Sequence, residues 1–404
     1  MARIHPFRAL RPAPAAASRV AAVPYDVVNA DEARRLAEGN PLSFLRVSRA
    51  EIDLPPDTHP YSDDVYARAA ANFEALKAGA PMIVEEAPSL YVYQLHMGAH
   101  VQTGIAACFP VDDYNRDLIR KHEKTRPDKE DDRTRHILTI RAQTGPVFLT
   151  YPASPEVDAA VGRVTSGAPL YDLTAPDDVR HVIWRAGDAE AAAITAAFAT
   201  VPALYIADGH HRAASAARAH AALAGEGPGE HEYFLAVAFP HDQMQILPYN
   251  RVVRDLQGMT AEAFRAKVAE RFRVTPGGPA TPAGRGEVAM YLGGQWSTIA
   301  LGPAASDATP DAALDVSRLQ DGVLAPLLGI ADVRTDKRID FVGGIRGTRE
   351  LEQLVDSGQW AVAFSLAPVS IADLMRISDA GGIMPPKSTW FEPKLRDGLL
   401  SHLI

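Results

Sequence analysis

The chain has 404 residues, with 41 Lys and Arg against 50 Asp and Glu for a formal charge of −9, 47% hydrophobic and 23% charged residues, and one cysteine. That is the composition of an ordinary globular protein of about two or three domains; its negative balance gives no general field for phosphate backbones, so no nucleic-acid partner is expected. Cys108 alone excludes a disulfide framework or Cys-based zinc site within one chain, and without a long apolar run a cytoplasmic protein that spans no membrane is expected.

In chain order, residues 31–38 read as a short helix stopped at Gly39-Asn40-Pro41, followed by a strand-like Phe44-Leu45-Arg46-Val47. Val65–Lys77 has helical spacing, and Ser89–Leu95 alternates like a strand that pairs with Val101–Phe109 across Met97-Gly98-Ala99. Residues 121–136 hold 13 charged or titratable side chains in 16 positions, which reads as a solvated loop or a lined site. Strand-like Val147–Tyr151 comes next. An Ala-rich helix at 188–198, the strand 203–207, the turn Asp208-Gly209-His210-His211-Arg212 and a second Ala-rich helix ending at Gly225 then form a strand, tight turn, helix unit. After the buried strand Tyr233–Phe239 a new unit begins at Arg251, with a helix at 260–271, a hairpin around Gly293-Gly294 and a loose linker at 302–310. The last hundred residues alternate strand and helix and end in a Pro/Lys-rich run. The expected fold is mixed α/β, with a catalytic region at 1–250 and a second α/β half at 251–404 that packs back on it.

Five segments could carry chemistry. In Asp208–Arg212 a strand turns through glycine into a helix, so the first free N–H groups and the positive dipole end point at whatever sits above, and two imidazoles and a guanidinium add phosphate donors. The bland alternative is a surface His pair with Asp208 as cap. His122-Glu123-Lys124 places a carboxylate between an imidazole and an ammonium, suited to a general base beside an anionic substrate, or it is an exposed charge run. Metal binding by His122, His136, His210 and His211 is conceivable but demanded by no spacing. Tyr25 and Asp26 follow Pro24 in a turn, or present an acid inward. The run 384–394 is rigid, and either straps the core or supplies Lys387 to an anion. The glycines at 343–347 lack the spacing of a P-loop.

Pro24-Tyr25-Asp26-Val27-Val28, Gly39–Leu45, Lys121-His122-Glu123-Lys124-Thr125, Ala142–Val147, Ala207–Arg212, Leu247-Pro248-Tyr249-Asn250-Arg251 and Met384–Thr389, in this order, resemble the bacterial family catalogued as domain of unknown function 1015. The turn Asp208–Arg212 is also similar to the phosphate-binding turn of the wider ParB/sulfiredoxin superfamily, which includes free-serine kinases. That resemblance implies a ParB/sulfiredoxin-like catalytic region and a phosphotransferase making O-phosphoserine from L-serine with ATP, ADP or pyrophosphate. Glu123 would deprotonate the serine hydroxyl, with His122 and Asp208 beside it. Gly209, His210, His211, Arg212 and Lys124 would hold phosphate, with Tyr25, Asp26, Arg46 and Lys387 as further substrate contacts. Mg²⁺ is implied by phosphate chemistry. Two other readings stay open: a nucleotide-binding regulatory module that holds phosphate without transferring it, and a metal-dependent hydrolase. Acceptor, donor and oligomeric state are not fixed by these residues.

Overall fold

A computed structural model describes residues 1–79 and 82–404. The fold is mixed α/β, and the chain forms two compact units, Met1–Met244 with Pro393–Ile404, and Gln245–Glu392. A division at 250/251 would cut the strand Tyr249–Val253, and the last twelve residues belong to the first unit rather than the second.

The first unit is built on an eight-stranded mixed sheet. Its strands run in the order Ile119–Arg120, Leu204–Asp208, Val147–Tyr151, Tyr233–Pro240, His100–Pro110, Tyr91–Met97, Arg180–Arg185, Tyr171–Thr174. The expected hairpin forms, with Tyr91 opposite Ala106 and Met97 opposite His100 across a glycine at φ 60°. The run Phe234–Phe239 is apolar at every position because both faces of its strand are covered. Helices Pro155–Thr165 and Asp188–Phe198 close one face, adding Val157, Val161, Ile194 and Phe198 to a core with Phe109, Leu149, Ile206 and Phe234. Each of these buried aromatic rings contributes about 1.5–3 kcal/mol through its removal from water.

Two local expectations are corrected. Phe44–Val47 is not a strand: Leu45–Ser48 makes one helical turn, because the Asn40 side chain accepts the Leu42 N–H and the Phe44 N–H bonds the Val20 carbonyl, seating Phe44 edge-on against Phe73. The charged stretch is only in part a loop, since Pro127–Ile140 is helical. Proline at its first turn with Asp128 and Glu130 favours that start. Periodicity hid this helix because its buried face carries Asp132 and His136. Asp132 accepts from the Tyr66 hydroxyl (2.9 Å) and His136 bonds the Val47 carbonyl (3.0 Å), so neither is left unsatisfied.

The second unit holds a six-stranded antiparallel sheet in the order Arg273–Pro276, Gln295–Ala300, Glu287–Leu292, Val362–Leu366, Tyr249–Val253, Ile339–Gly343. Phe264, Met290, Leu319, Leu328 and Phe364 fill its core. No described helix is long and apolar enough to cross a membrane.

Candidate functional site

The strand Leu204–Asp208, second from the edge of the first unit's sheet, ends and the helix His210–Leu223 starts at once. Gly209 makes the reversal with φ 93°, a left-handed conformation open to glycine at little cost. Space also requires it, since a Cβ there would lie 3.0 Å from Arg212 Cζ. Gly209, the residue before the helix, has no side chain to cap the start, where the positive end of the helix dipole lies.

Arg212 lies under the turn, 7% exposed. Its guanidinium donates to the Pro146 carbonyl and to Asp208 (3.1 Å) and stands 3.6 Å from Asp26. Burial pulls its pKa down, but Asp26, Asp208 and Asp397 hold it above the ordinary arginine value. Asp208 also faces the Lys394 ammonium at 3.5 Å. Burial alone would raise the Asp208 carboxyl, and the Lys394 and Arg212 charges instead keep it well below the usual range, hence ionised.

The loop at 121–126 closes over the helix start. His122, 2% exposed, sets its ring edge-on to His210 at 4.4 Å, and its backbone N–H reaches His210 Nε2 at 3.4 Å. Since Nε2 accepts, the neutral His210 ring carries its proton on Nδ1, which faces Glu123 Oε2 at 3.8 Å. Burial pushes both imidazoles down, His122 to about 4 and His210 well below its ordinary value with help from the neighbouring His122. Both rings are therefore neutral at pH 7. Glu123 is 40% exposed. His211 turns the other way and accepts the Arg126 N–H at 3.0 Å, which ties the loop to the helix.

The remaining candidates divide. Lys124 is exposed on the same loop, and Asp26 stands beside Arg212. Tyr25 is buried with the Arg133 guanidinium 4.3 Å over its ring. Arg46 is engaged elsewhere, with Asp53 and the carbonyls of Ala37 and Asn40. Lys387 lies in the second unit, 5.5 Å over the Tyr249 ring. Within the 384–394 run it is Lys394, seven residues on, that reaches Asp208.

Sequence reasoning passed over Asp397 entirely. It is 2% exposed, its Oδ1 has no hydrogen-bond partner, and it borders a small cavity of about 40 Å³ with Tyr25, Arg133 and Arg212. Burial pushes its carboxyl up to about 7, Arg212 opposing and Asp26 adding. No spacing or motif in Leu395-Arg396-Asp397-Gly398 announces this position; the backbone bridge between Ala22 and Asp397 puts it there. Arg212 Nε and His122 Nδ1 are likewise buried without partners. Among the described residues no three metal-ligating side chains gather, so His122, His136, His210 and His211 do not form a metal-holding cluster.

A family profile described as a protein of unknown function, DUF1015, matches residues 4–317. The chain belongs to this family. No curated protein matches the chain. Among solved structures it is similar to a free serine kinase in complex with AMP, at 13% identity and a TM-score of 0.36 over 73% of this chain and 91% of that one. It is also similar to SbnI with a C-terminal truncation from Staphylococcus aureus (15%, 0.40, 74% and 87%) and to a conserved hypothetical protein from Pyrococcus furiosus (14%, 0.36, 74% and 95%).

Proposed function

We propose that the first unit of this DUF1015 protein is a cytoplasmic small-molecule phosphotransferase that makes O-phosphoserine from L-serine and a nucleotide or pyrophosphate donor. One observation carries the reading: a half-exposed carboxylate, Glu123, stands beside the neutral His210 at a helix start, with Asp208, Lys394 and Arg212 behind it. The choice of serine and of donor follows the resemblance of the Asp208–Arg212 turn to the phosphate-binding turn of the superfamily that includes free-serine kinases.

In this reading Glu123 takes the proton of the serine hydroxyl as its oxygen attacks the terminal phosphorus, while the bond to the leaving phosphate or nucleotide breaks. The positive end of the helix after Gly209 and the His210 Nδ1–H stabilise the transferring group's oxygens, where charge is spread in the transition state. Lys394 adds positive charge. Arg212, already engaged with Asp26 and Asp208, acts from beneath by holding Asp208 ionised and the turn rigid. Asp208 and Asp26 already face arginine or lysine, and among the described residues no set of three ligands gathers, so Mg²⁺ would be held chiefly by the donor's phosphates, with Asp208 as a candidate carboxylate. Such an ion screens phosphate charge.

The test is ³¹P NMR of the full chain with Mg²⁺ and L-serine, supplied in turn with ATP, ADP or pyrophosphate. A phosphomonoester peak with one donor, lost in Glu123→Gln by at least about 100-fold in rate, is expected. Undiminished turnover in Glu123→Gln removes that residue from the chemistry. The second reading, a nucleotide-binding module without transfer, is favoured by the neutralisation of Arg212, and predicts saturable nucleotide binding with no product from any donor.

A further inference from the structure

The motif Leu247–Arg251 takes no part in the site above. Arg251 sits mid-strand in the second unit's sheet, opposite Phe341 on one side and Phe364 on the other, and is 1% exposed. Its guanidinium donates to two backbone carbonyls, Tyr249 and Pro386, and lies 5.2 Å from the Phe341 ring. Both acceptors are neutral. Among the described residues no carboxylate comes within ion-pair distance of it, and burial lowers its pKa to about 9. A guanidinium has five N–H donors in a planar fork that matches carboxylate and phosphate, so donors and a full charge remain to be met.

Those donors border a cleft of about 150 Å³ in the second unit, large enough to hold several water molecules or a small polar ligand. A second unmet group lines the same cleft. Asp315, 8% exposed, accepts the Gly286 N–H on Oδ2 at 2.8 Å, whereas its buried Oδ1 has no hydrogen-bond partner and only Arg318 at 3.7 Å. The cleft's other acid, Asp373, is satisfied by Arg285, Arg376 and Ser370. A buried cation without a counter-ion and a buried acceptor without a donor, facing one cavity, together describe a ligand.

We propose that this cleft binds a small hydroxylated oxyanion, whose carboxylate or phosphate is taken by Arg251 and whose hydroxyl donates to Asp315. Ser388 and the Tyr249 ring form part of its wall. The site lies wholly within Gln245–Glu392 and does not depend on how the Asp208–Arg212 turn is used.

The experiment is isothermal titration calorimetry of the full chain at pH 7 with D-glycerate and with glycerol 3-phosphate, which separate carboxylate from phosphate recognition. Saturable binding of at least one probe is expected, weakened by about tenfold or more in Arg251→Gln, as for loss of a charge-assisted contact. Asp315→Asn should weaken it less and reduce the preference for D-glycerate over propionate, which has no hydroxyl. If Arg251→Gln does not fold by circular dichroism, Arg251→Lys keeps the charge without the fork, and the same weakening is expected there. No binding of either probe overturns the proposal, as does binding unchanged in the Arg251 variant that folds.

Discussion

The two units each bury an arginine, and the two arginines live in opposite surroundings. Arg212 is 7% exposed and faces Asp26 and Asp208, with Asp397 beside it, so its charge is answered within the chain. Arg251 is 1% exposed and, among the described residues, meets carbonyls and a ring but no carboxylate. Burial acts on both; neighbouring carboxylates reverse its effect in the first case and are missing in the second. The difference separates a charge that organises a site from a charge that awaits one. In the functions proposed here, the work of meeting a ligand falls to Glu123, His210 and Lys394 in the first unit, and to the arginine itself in the second.

The comparison breaks most visibly in stability. Arg212→Met strips two close carboxylates of their buried partner and should cost about 3–5 kcal/mol in urea denaturation. Arg251→Met removes an unanswered charge, leaves two carbonyls less satisfied, and should cost no more than about 2 kcal/mol. Equal losses would mean that Arg251 has a counter-charge after all. A smaller effect is expected at the turn: Gly209→Ala places a side chain at φ 93° and against Arg212, at about 1–3 kcal/mol. Phosphate-donor affinity should fall with it, since the helix start moves.

The pH dependence sharpens the first half of the comparison. Asp397 has a folded pKa near 7, above its unfolded value, so the folded state holds more protons than the unfolded one between about pH 4 and 7. Its contribution to stability is present below that window and lost as pH rises through it. His122, lowered to about 4, acts in the opposite direction, its contribution lost as pH falls from the ordinary histidine value toward 4. Subtracting the denaturation profile of Asp397→Asn from that of the native chain should therefore give a difference that declines from pH 4 to 7 and then flattens. A flat difference would place Asp397 among ordinary carboxylates.

Local elements were legible where local forces suffice. The hairpin at 91–110 needed only alternation and a glycine, and the strand, turn and helix at 204–223 needed only an apolar run, Gly209 and alanines. The helix Pro127–Ile140 was read as a charged stretch because its inner face is polar, and Asp132 and His136 become tolerable there only once Tyr66 and Val47 arrive. In the 384–394 run the rigidity was legible, but not which lysine mattered. Asp397, with no motif around it, had no signal to find.

The amino-acid sequence by itself determined the family, the mixed α/β class and the turn Asp208–Arg212, because hydrophobic period, glycine and the order of short motifs act over a few residues. Only the tertiary structure decided that Lys394 rather than Lys387 meets Asp208, 186 positions away along the chain, and that Arg212 is answered by carboxylates while Arg251 is not. Charge in a protein interior is set by groups within a few ångströms, and which groups those are depends on how distant segments fold together rather than on their neighbours in sequence.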